Sequence, residues 1–337
     1  MRDDRIDILR FIGLAMIIFA HVDPPELLFQ LRNFDVPLMV LVSAMSFGLS
    51  YKSSESYSSY VWKRIKRLVF PVWIFLTGYF IALLVFNPGS DELEPSTLIN
   101  TYTLLHGIGY VWIIRVFLLV ALASPFIFSW HQKTQNNGKY FLTLTIFFLI
   151  YELLRYLSLP LIQQGTGELV SAAVLYIIPY GIIFAIGLRM GQLNKRQLQF
   201  INLLSLVTFT LIALWLLIRN GQFMPTQEFK YPPSIYYLSY ALFISSLLWI
   251  YSQGIDHLFQ QLKLKKLVLF IASNSIWVYL WHIPLIKYIH THLALKFVIA
   301  FSGAVLITYL QTLLINYWLK HIHSAEVKKN IKMLLTG

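Results

Sequence analysis

The sequence predicts an all-α membrane protein that crosses the bilayer about ten times. Apolar residues make up 57% of its 337 residues and charged residues only 12%, whereas charged residues account for roughly a quarter of ordinary soluble domains. Long apolar runs, such as TLTIFFLIYELL and LLSLVTFTLIALWLLI, recur along the chain. The segments that contain them have the length of membrane-spanning helices. Because no stretch is typical of a separate soluble domain, we predict one integral-membrane domain over residues 1–337.

The positions of the apolar runs define the individual helices. We predict spans over residues 7–23, 34–51, 66–86, 110–130, 140–158, 168–190, 199–219, 233–252, 267–287 and 295–319. The first span ends at the motif DPP (residues 23–25), a start signal for the short surface helix ELLFQL. Asp35 and Pro37 stand in the first turn of the second span, and a Pro-Pro pair at 232–233 begins the eighth.

The distribution of Lys and Arg orients these helices. With a cytoplasmic N-terminus, the inside segments hold twenty of the 27 Lys and Arg residues, Arg2 and Lys52 among them, and the outside segments hold five. Cytoplasmic loops of membrane proteins carry an excess of positive charge, so we predict that both termini are cytoplasmic. The same bias explains the net charge of +12. We therefore expect the positive charge to face membrane lipids, and we expect no nucleic acid as a partner.

Arg10 and His21 are the polar ends of an otherwise apolar segment, RFIGLAMIIFAH. On an α-helix, eleven residues advance the chain by about 16 Å and turn it through three turns plus about 20°. The two side chains therefore lie on nearly the same face, about half a bilayer apart. Arg10 alone can snorkel to the inner interface, and His21 alone can be a satisfied interfacial group. The spacing leaves both a packing role and a chemical role open.

Further polar side chains fall at the depth of His21 in this topology. They are Asp35 in the second span, Arg115 in the fourth, Glu152 and Arg155 in the fifth, and His282 in the ninth. Asp35 can contact His21 or cap its own helix, and Glu152 and Arg155 can form a self-contained ion pair. Because a charge inside the membrane is costly, we expect these six side chains to line one cavity that opens outward.

Two other segments border the predicted spans. KRIKR, residues 63–67, is predicted to be an inside loop before the third span, and its charges agree with the positive-inside rule. Arg67 is nearest to the apolar run, so it is the cation that we expect to face the bundle. Tyr236 stands in a tyrosine-rich stretch at the outer start of the eighth span. This stretch suits an interfacial aromatic belt or contact with a sugar or lipid at the cavity mouth.

Several classes of site are excluded. The sequence has no cysteine, so it has no disulfide framework, thiolate metal site or cysteine nucleophile. It also lacks G-x-S-x-G, a Walker loop, H-E-x-x-H and a clustered spacing of metal ligands. We therefore predict no metal cofactor.

The polar motifs together resemble the membrane-bound acyltransferase-3 family, bacterial enzymes that O-acetylate sugars and polysaccharides. The most specific element is the spacing of ten residues between Arg10 and His21. The resemblance continues in order through FDVPLMVLVSA, KRIKRLVFP, YVWIIRVFLL, YPPSIYYL and SIWVYLWHIPL, and so covers nearly the whole chain. Ala44 is a departure, because the family usually has glycine after Ser43. The resemblance implies ten or so helices, acetyl-CoA as a cytoplasmic donor, and the bacterial cytoplasmic membrane as the location.

The resemblance also implies roles for the polar residues. Arg10, Arg64 and Arg67 can bind the phosphates of acetyl-CoA, and its pantetheine arm can follow the helix face to His21. His21 can then act as a general base on an acceptor hydroxyl, or carry the acetyl group itself. Arg115 or Arg155 can stabilise the oxyanion.

For the remaining residues we predict that Asp35 assists catalysis and that Glu152, Arg155, Tyr236 and His282 bind the acceptor, a glycan or a lipid-linked sugar. A transporter or flippase for an anionic glycan precursor is the alternative function, since intramembrane Arg, Glu and His side chains also line such pathways.

Overall fold

The computed structural model of the protein describes residues 3–51, 54–105, 107–162 and 166–337. Arg2 and Lys52, counted above among the inside cations, lie outside these ranges. Within them the regular elements are helical, with no β-strand. The α-helices are α1 (Asp4–Ala20), α2 (Glu26–Leu31), α3 (Asp35–Ser50), α4 (Tyr57–Phe86), α5 (Pro95–Tyr102), α6 (Trp112–Lys133), α7 (Asn137–Ser158), α8 (Thr166–Met190), α9 (Lys195–Asn220), α10 (Ile235–Ile250), α11 (Ser252–Gln261), α12 (Lys265–Ser273), α13 (Ser275–Tyr288), α14 (Leu293–Leu319) and α15 (Ala325–Leu335). Short 3₁₀ helices cover Asp91–Leu93, Leu159–Leu161 and Thr226–Phe229.

The membrane class and the helical fold are confirmed. In the described chain, seven helical segments are long and apolar enough to cross a membrane, and nine are if each of two bent helix pairs counts as one span. The predicted first span corresponds to α1, which is not among them because it has 17 residues and carries both acidic and basic side chains. It packs among α3, α11, α12 and α13 at the centre of the bundle.

Burial separates the central helices from those that face lipid. In the apolar part of the Glu26–Ser50 segment 72% of positions are buried, against 11% in Asn137–Leu161 and 17% in both Lys195–Asn220 and Leu293–Leu319. Since lipid tails are as apolar as the side chains of these outer helices, their exposed surfaces need no protein partner. The polar residues of interest therefore lie on α1, α3 and the helices that surround them.

Two predicted elements are wrong. The segment 63–67, predicted to be an inside loop, belongs to α4, which begins at Tyr57. The ninth span is not continuous, because α12 and α13 meet at Asn274 with a bend of 85°. The side-chain amide of Asn274 donates to the carbonyl oxygen of Phe270 at 2.7 Å. The backbone N–H of Asn274 donates to the same oxygen at 3.1 Å, and Asn274 is the residue that ends α12. The predicted eighth span, 233–252, agrees with α10, and the chain bends by 58° after it, where α11 begins.

Helices α3 and α8 approach closely where Gly187 meets Ala44. A Cβ atom on Gly187 would lie 2.7 Å from the carbonyl oxygen of Leu41 and 2.9 Å from Cβ of Ala44. Ala44 is fully buried. The glycine that permits this contact is thus on α8, which explains how the helix pair accommodates a Cβ at position 44.

We expect Gly187→Ala to lower the free energy of unfolding by about 1–3 kcal/mol, because the added methyl group overpacks this contact. The matched control is Gly78→Ala on α4, where a Cβ meets no atom within 4 Å and alanine is the better helix former. The measurement is the midpoint of thermal unfolding in detergent. Equal midpoints for the two variants would contradict the packing argument.

Candidate active site

His21 and His282 form a hydrogen-bonded pair at one end of the bundle. His21 is the residue that ends α1, and His282 lies in α13. Nδ1 of His21 is 2.9 Å from Nε2 of His282, and the two rings stack with centroids 5.0 Å apart. The two histidines that the sequence placed at a similar depth are therefore direct neighbours.

The hydrogen bonds of His282 determine which nitrogen of His21 is free. Nδ1 of His282 bonds the carbonyl oxygen of Tyr279, one turn earlier on α13. Because a carbonyl oxygen can only accept, this Nδ1 carries the proton and Nε2 of a neutral His282 has a lone pair. His21 must then donate from its Nδ1, which leaves its own Nε2 without a proton. No residue in the described ranges hydrogen-bonds that nitrogen. His21 thus has the form required of a general base.

Two tyrosines enclose the histidine pair. The ring of Tyr110 meets that of His21 edge-on, with centroids 4.9 Å apart, and the ring of Tyr279 lies 4.8 Å from that of His282. The hydroxyl of Tyr279 donates to the carbonyl oxygen of Tyr110 at 2.6 Å. Burial raises the pKa of Tyr110, so its hydroxyl remains protonated at neutral pH.

A cavity of about 600 Å³ follows α1 inside the bundle. Its walls come from α1, α3, α4, α6 and α13, and from the break between α12 and α13. Arg10, Arg64 and Arg67 all line it. Because α4 is helical in this region, the spacing of three residues between Arg64 and Arg67 places both on one face. The three arginines that we predicted to bind the donor therefore share one cavity.

The cavity leads from these arginines toward His21. Along α1 it is lined by Arg10, Leu14 and Ile17, and Ile17 precedes His21 by about one turn. Tyr279 also lines this end, with its ring centroid 6.4 Å from that of His21. His21 itself is not a lining residue, whereas Ile17, one turn before it on α1, and its neighbour Tyr279 are.

The three arginines differ in how they are held. Arg10 forms an ion pair with Asp7, and the guanidinium of Arg64 lies over the ring of Tyr60 at 4.9 Å. Arg67 is exposed and makes no hydrogen bond or ion pair with any residue that the structure describes. Its five N–H donors are therefore available to a ligand.

Asp35 does not form the contact with His21 that the sequence allowed. It is buried and pairs with Arg32 at 2.8 Å and with Lys230 at 3.5 Å. Burial lowers the pKa of Lys230 to about 8, against the opposite effect of the Asp35 carboxylate. Asp35 thus pairs with two cations near the start of α3, and the partner of His21 is His282 instead.

The other charged residues form two separate groups. Arg115 donates to the carbonyl oxygen of Leu105 at 3.3 Å, in the loop that precedes α6. Glu152 and Arg155 make the ion pair that their spacing predicted, at 2.5 Å. Glu152 also accepts a hydrogen bond from the backbone N–H of Ile235 at 3.2 Å. This contact joins α7 to the first turn of α10, so the pair has a structural role but is not self-contained.

The predicted outward cavity is not the cavity described above. None of the six side chains at the level of His21 lines that cavity, because most of them found partners on their own or a neighbouring helix. Tyr236 is buried and donates to the carbonyl oxygen of Met224 at 2.9 Å, so its hydroxyl is already engaged. No group of three or more His, Asp or Glu side chains in the described ranges could hold a metal ion.

Tyr110 and Tyr279 were not predicted as site residues. Both stand in motifs quoted above, YVWIIRVFLL and SIWVYLWHIPL. Tyr279 precedes His282 by three residues, so helical periodicity placed it on the same face. No local signal linked Tyr110 to His21, because their contact joins a loop to a distant helix.

Comparison with known proteins agrees with this geometry. A family model described as an acyltransferase domain, Acyl_transf_3, matches residues 3–318. No curated protein and no solved structure gives a significant match. The matched region contains the three cavity arginines and both histidines, and it favours acyl transfer over the transporter alternative. The chain therefore belongs to the acyltransferase-3 family of membrane acyltransferases.

Proposed function

We propose that the protein transfers an acetyl group from acetyl-CoA to a sugar hydroxyl of a cell-surface or lipid-linked glycan. One observation carries this proposal: a single cavity begins among three arginines and ends beside Tyr279, which packs next to His21. The arginine end of the cavity matches the anionic nucleotide of acetyl-CoA. The end near His21, the candidate general base, matches the reactive thioester, and the apolar passage joins the two ends.

The donor would lie along the face of α1. Guanidinium groups bind phosphate oxygens in a bidentate manner, and Arg67 has all its donors available. Arg10 and His21 are separated by about 16 Å along the helix, a length comparable to the pantetheine arm. Leu14 and Ile17 line the passage between them and would contact the apolar part of that arm.

The reaction would take place at Nε2 of His21. This nitrogen accepts the proton of the acceptor hydroxyl while the hydroxyl oxygen bonds to the thioester carbonyl carbon. The C–S bond then breaks, and His21 donates the proton that it took from the hydroxyl to the departing CoA thiolate. His282 accepts the Nδ1–H bond of His21, and this bond strengthens while His21 is positively charged. An acetyl-histidine at the same Nε2 is the alternative route.

The direct test is the effect of CoA on thermal stability. A ligand at a hundred times its Kd stabilises the folded state by about 2.7 kcal/mol. We expect CoA to raise the unfolding midpoint of the detergent-solubilised protein, and pantetheine, which lacks the nucleotide phosphates, to raise it much less. An unchanged midpoint with CoA and with acetyl-CoA would overturn the proposed donor, and would favour a transporter that has no use for CoA.

We further infer that the donor binds from the cytoplasm and that the acceptor arrives from the outer side, in a bacterial cytoplasmic membrane. The positive-inside count supports this orientation. Ser54 precedes α4 and Ser90 follows it, so the two serines belong on opposite sides of the membrane.

In intact cells, Ser90→Cys should therefore react with an impermeant maleimide and Ser54→Cys should not. The chain has no native cysteine, so any labelling reports the introduced residue. Both variants should react in permeabilised cells, which controls for accessibility. Labelling of Ser54→Cys alone in intact cells would invert the orientation and place His21 at the cytoplasmic side.

A further inference from the structure

We propose that Tyr110, Lys287 and Glu92 form the subsite that holds a sugar acceptor beside His21. The inference rests on the proposed function and concerns the side of the histidine pair that the donor does not occupy. The donor cavity approaches the pair from the Arg10 end. The acceptor hydroxyl therefore needs a second approach to Nε2 of His21.

The ring of Tyr110 lies against both histidines. Its centroid is 4.9 Å from that of His21 and 5.9 Å from that of His282. The hydrogen bond from Tyr279 fixes the backbone carbonyl of Tyr110. Tyr110 and His21 are both partly exposed, so each side chain has surface that a ligand could contact.

The loop before Tyr110 is held in a restricted conformation. Gly107 and Gly109 have φ angles of +46° and +82°. A Cβ atom on Gly107 would lie 2.1 Å from Oγ1 of Thr101, and the same oxygen accepts the backbone N–H of Ile108 at 3.1 Å. The hydrogen bond to Thr101 thus anchors the loop two residues before Tyr110.

Lys287 and Glu92 continue this surface away from the histidine pair. Nζ of Lys287 lies 5.4 Å from the ring centroid of Tyr110 and forms an ion pair with Glu92. Tyr79 bonds both partners: it receives a hydrogen bond from Lys287 at 3.0 Å and donates to Glu92 at 2.7 Å. The side chains of Lys287 and Glu92 are 20% and 28% exposed. An aromatic ring and then a polar pair thus lead from the base to the surface.

This combination suits a carbohydrate. An aromatic ring can pack on the C–H face of a sugar, while an ammonium donates to hydroxyl oxygens and a carboxylate accepts from hydroxyl protons. Binding sites of this kind combine aromatic contact with a few placed polar groups. A simple alcohol such as ethanol offers a hydroxyl to His21 but has no ring or further hydroxyls for the subsite.

Sugar binding is measured first, with no acyl donor present. The probes are methyl glucoside and N-acetylglucosamine, and the readout is the change in unfolding midpoint of the solubilised protein with sugar concentration. We expect Tyr110→Leu and Lys287→Ala each to weaken the apparent Kd of the better probe by at least about tenfold, the effect of losing one contact of 1.4 kcal/mol. Tyr288→Ala and Lys296→Ala, at the same end of the bundle, are the matched controls and should bind as the wild type does.

Transfer is measured second, with acetyl-CoA as donor. In Tyr110→Leu and Lys287→Ala we expect the ratio of kcat/KM for the sugar to kcat/KM for ethanol to fall at least about tenfold. An equal loss with both acceptors would assign these residues a purely structural role and overturn the subsite. Failure of the wild-type protein to bind either sugar would also overturn the subsite.

The two measurements also separate this inference from the proposed function. Sugar binding that depends on Tyr110 and Lys287, together with no reaction of acetyl-CoA with any acceptor, would support the subsite and contradict the donor. Turnover of acetyl-CoA without any change of acceptor preference in the variants would support the proposed donor and contradict the subsite.

Discussion

Replacement of His21 by alanine is expected to lower acetyl transfer by about 10²–10⁴-fold, the contribution of a positioned general base. The affinity for CoA should stay close to that of the wild type, because the phosphates would bind at the arginine end of the cavity. The rate of thiol release from acetyl-CoA, with acceptor present, measures the first quantity. Thermal stabilisation of the same preparation by CoA measures the second and also shows that the variant is folded.

Variants of two other histidines provide a control for this experiment and a test of the positioning role of His282. His290 follows α13 and is exposed, so His290→Ala is a matched control that should keep the wild-type rate. His282→Gln retains a side-chain oxygen that can accept the Nδ1–H of His21, and we expect it to lose less activity than His282→Ala. Wild-type turnover by His21→Ala would remove this residue from the mechanism. Equal activity of the two His282 variants would contradict the positioning role of His282.

Replacement of Arg67 by alanine is expected to raise the KM for acetyl-CoA by about tenfold to hundredfold, since a hydrogen bond to a charged group contributes about 1.5–3 kcal/mol. Arg67 faces the cavity and has no hydrogen-bonding or ionic partner among the described residues. Its loss should therefore act on the ligand and leave the fold intact. Arg67→Lys should restore little of the affinity, because lysine lacks the bidentate fork.

Lys66 is the matched control for this prediction. It is the neighbour of Arg67 on α4, it does not line the cavity, and its ammonium lies 5.7 Å from the ring of Trp62. Lys66→Ala changes the charge of the segment by the same amount, yet should leave the KM for acetyl-CoA unchanged. An equal rise of KM in both variants would point to the general positive charge of this surface, and an unchanged KM in Arg67→Ala would place the phosphates elsewhere.

The sequence was informative where one helix or the overall composition decided the outcome. The helical membrane fold was predictable from the apolar runs, and the family from the order of motifs. The ion pair of Glu152 and Arg155 followed from a spacing of three residues. The short helix α2 followed from its start signal. Each of these depends on backbone geometry that repeats along the chain.

The errors arose where a local pattern had two solutions. Positive charges before the third span are compatible with a loop or with a helix, and in the structure the segment 63–67 is part of helix α4. The bend of 85° at Asn274 separates α12 from α13, and composition alone does not reveal such a bend. Asp35 had several charged groups within reach, and two cations, Arg32 and Lys230, took the place of His21.

By itself, the sequence determined the class of protein and its family, and it predicted a common face for Arg10 and His21, because composition, motif order and helical periodicity are local properties. Only the tertiary structure decided that His282, 261 residues along the chain from His21, is its hydrogen-bond partner. It also decided that α4 brings Arg64 and Arg67 into the cavity of Arg10. Contacts of this kind depend on how helices pack against one another, and packing is set by many side chains at once, such as the close approach of α3 and α8 at Gly187.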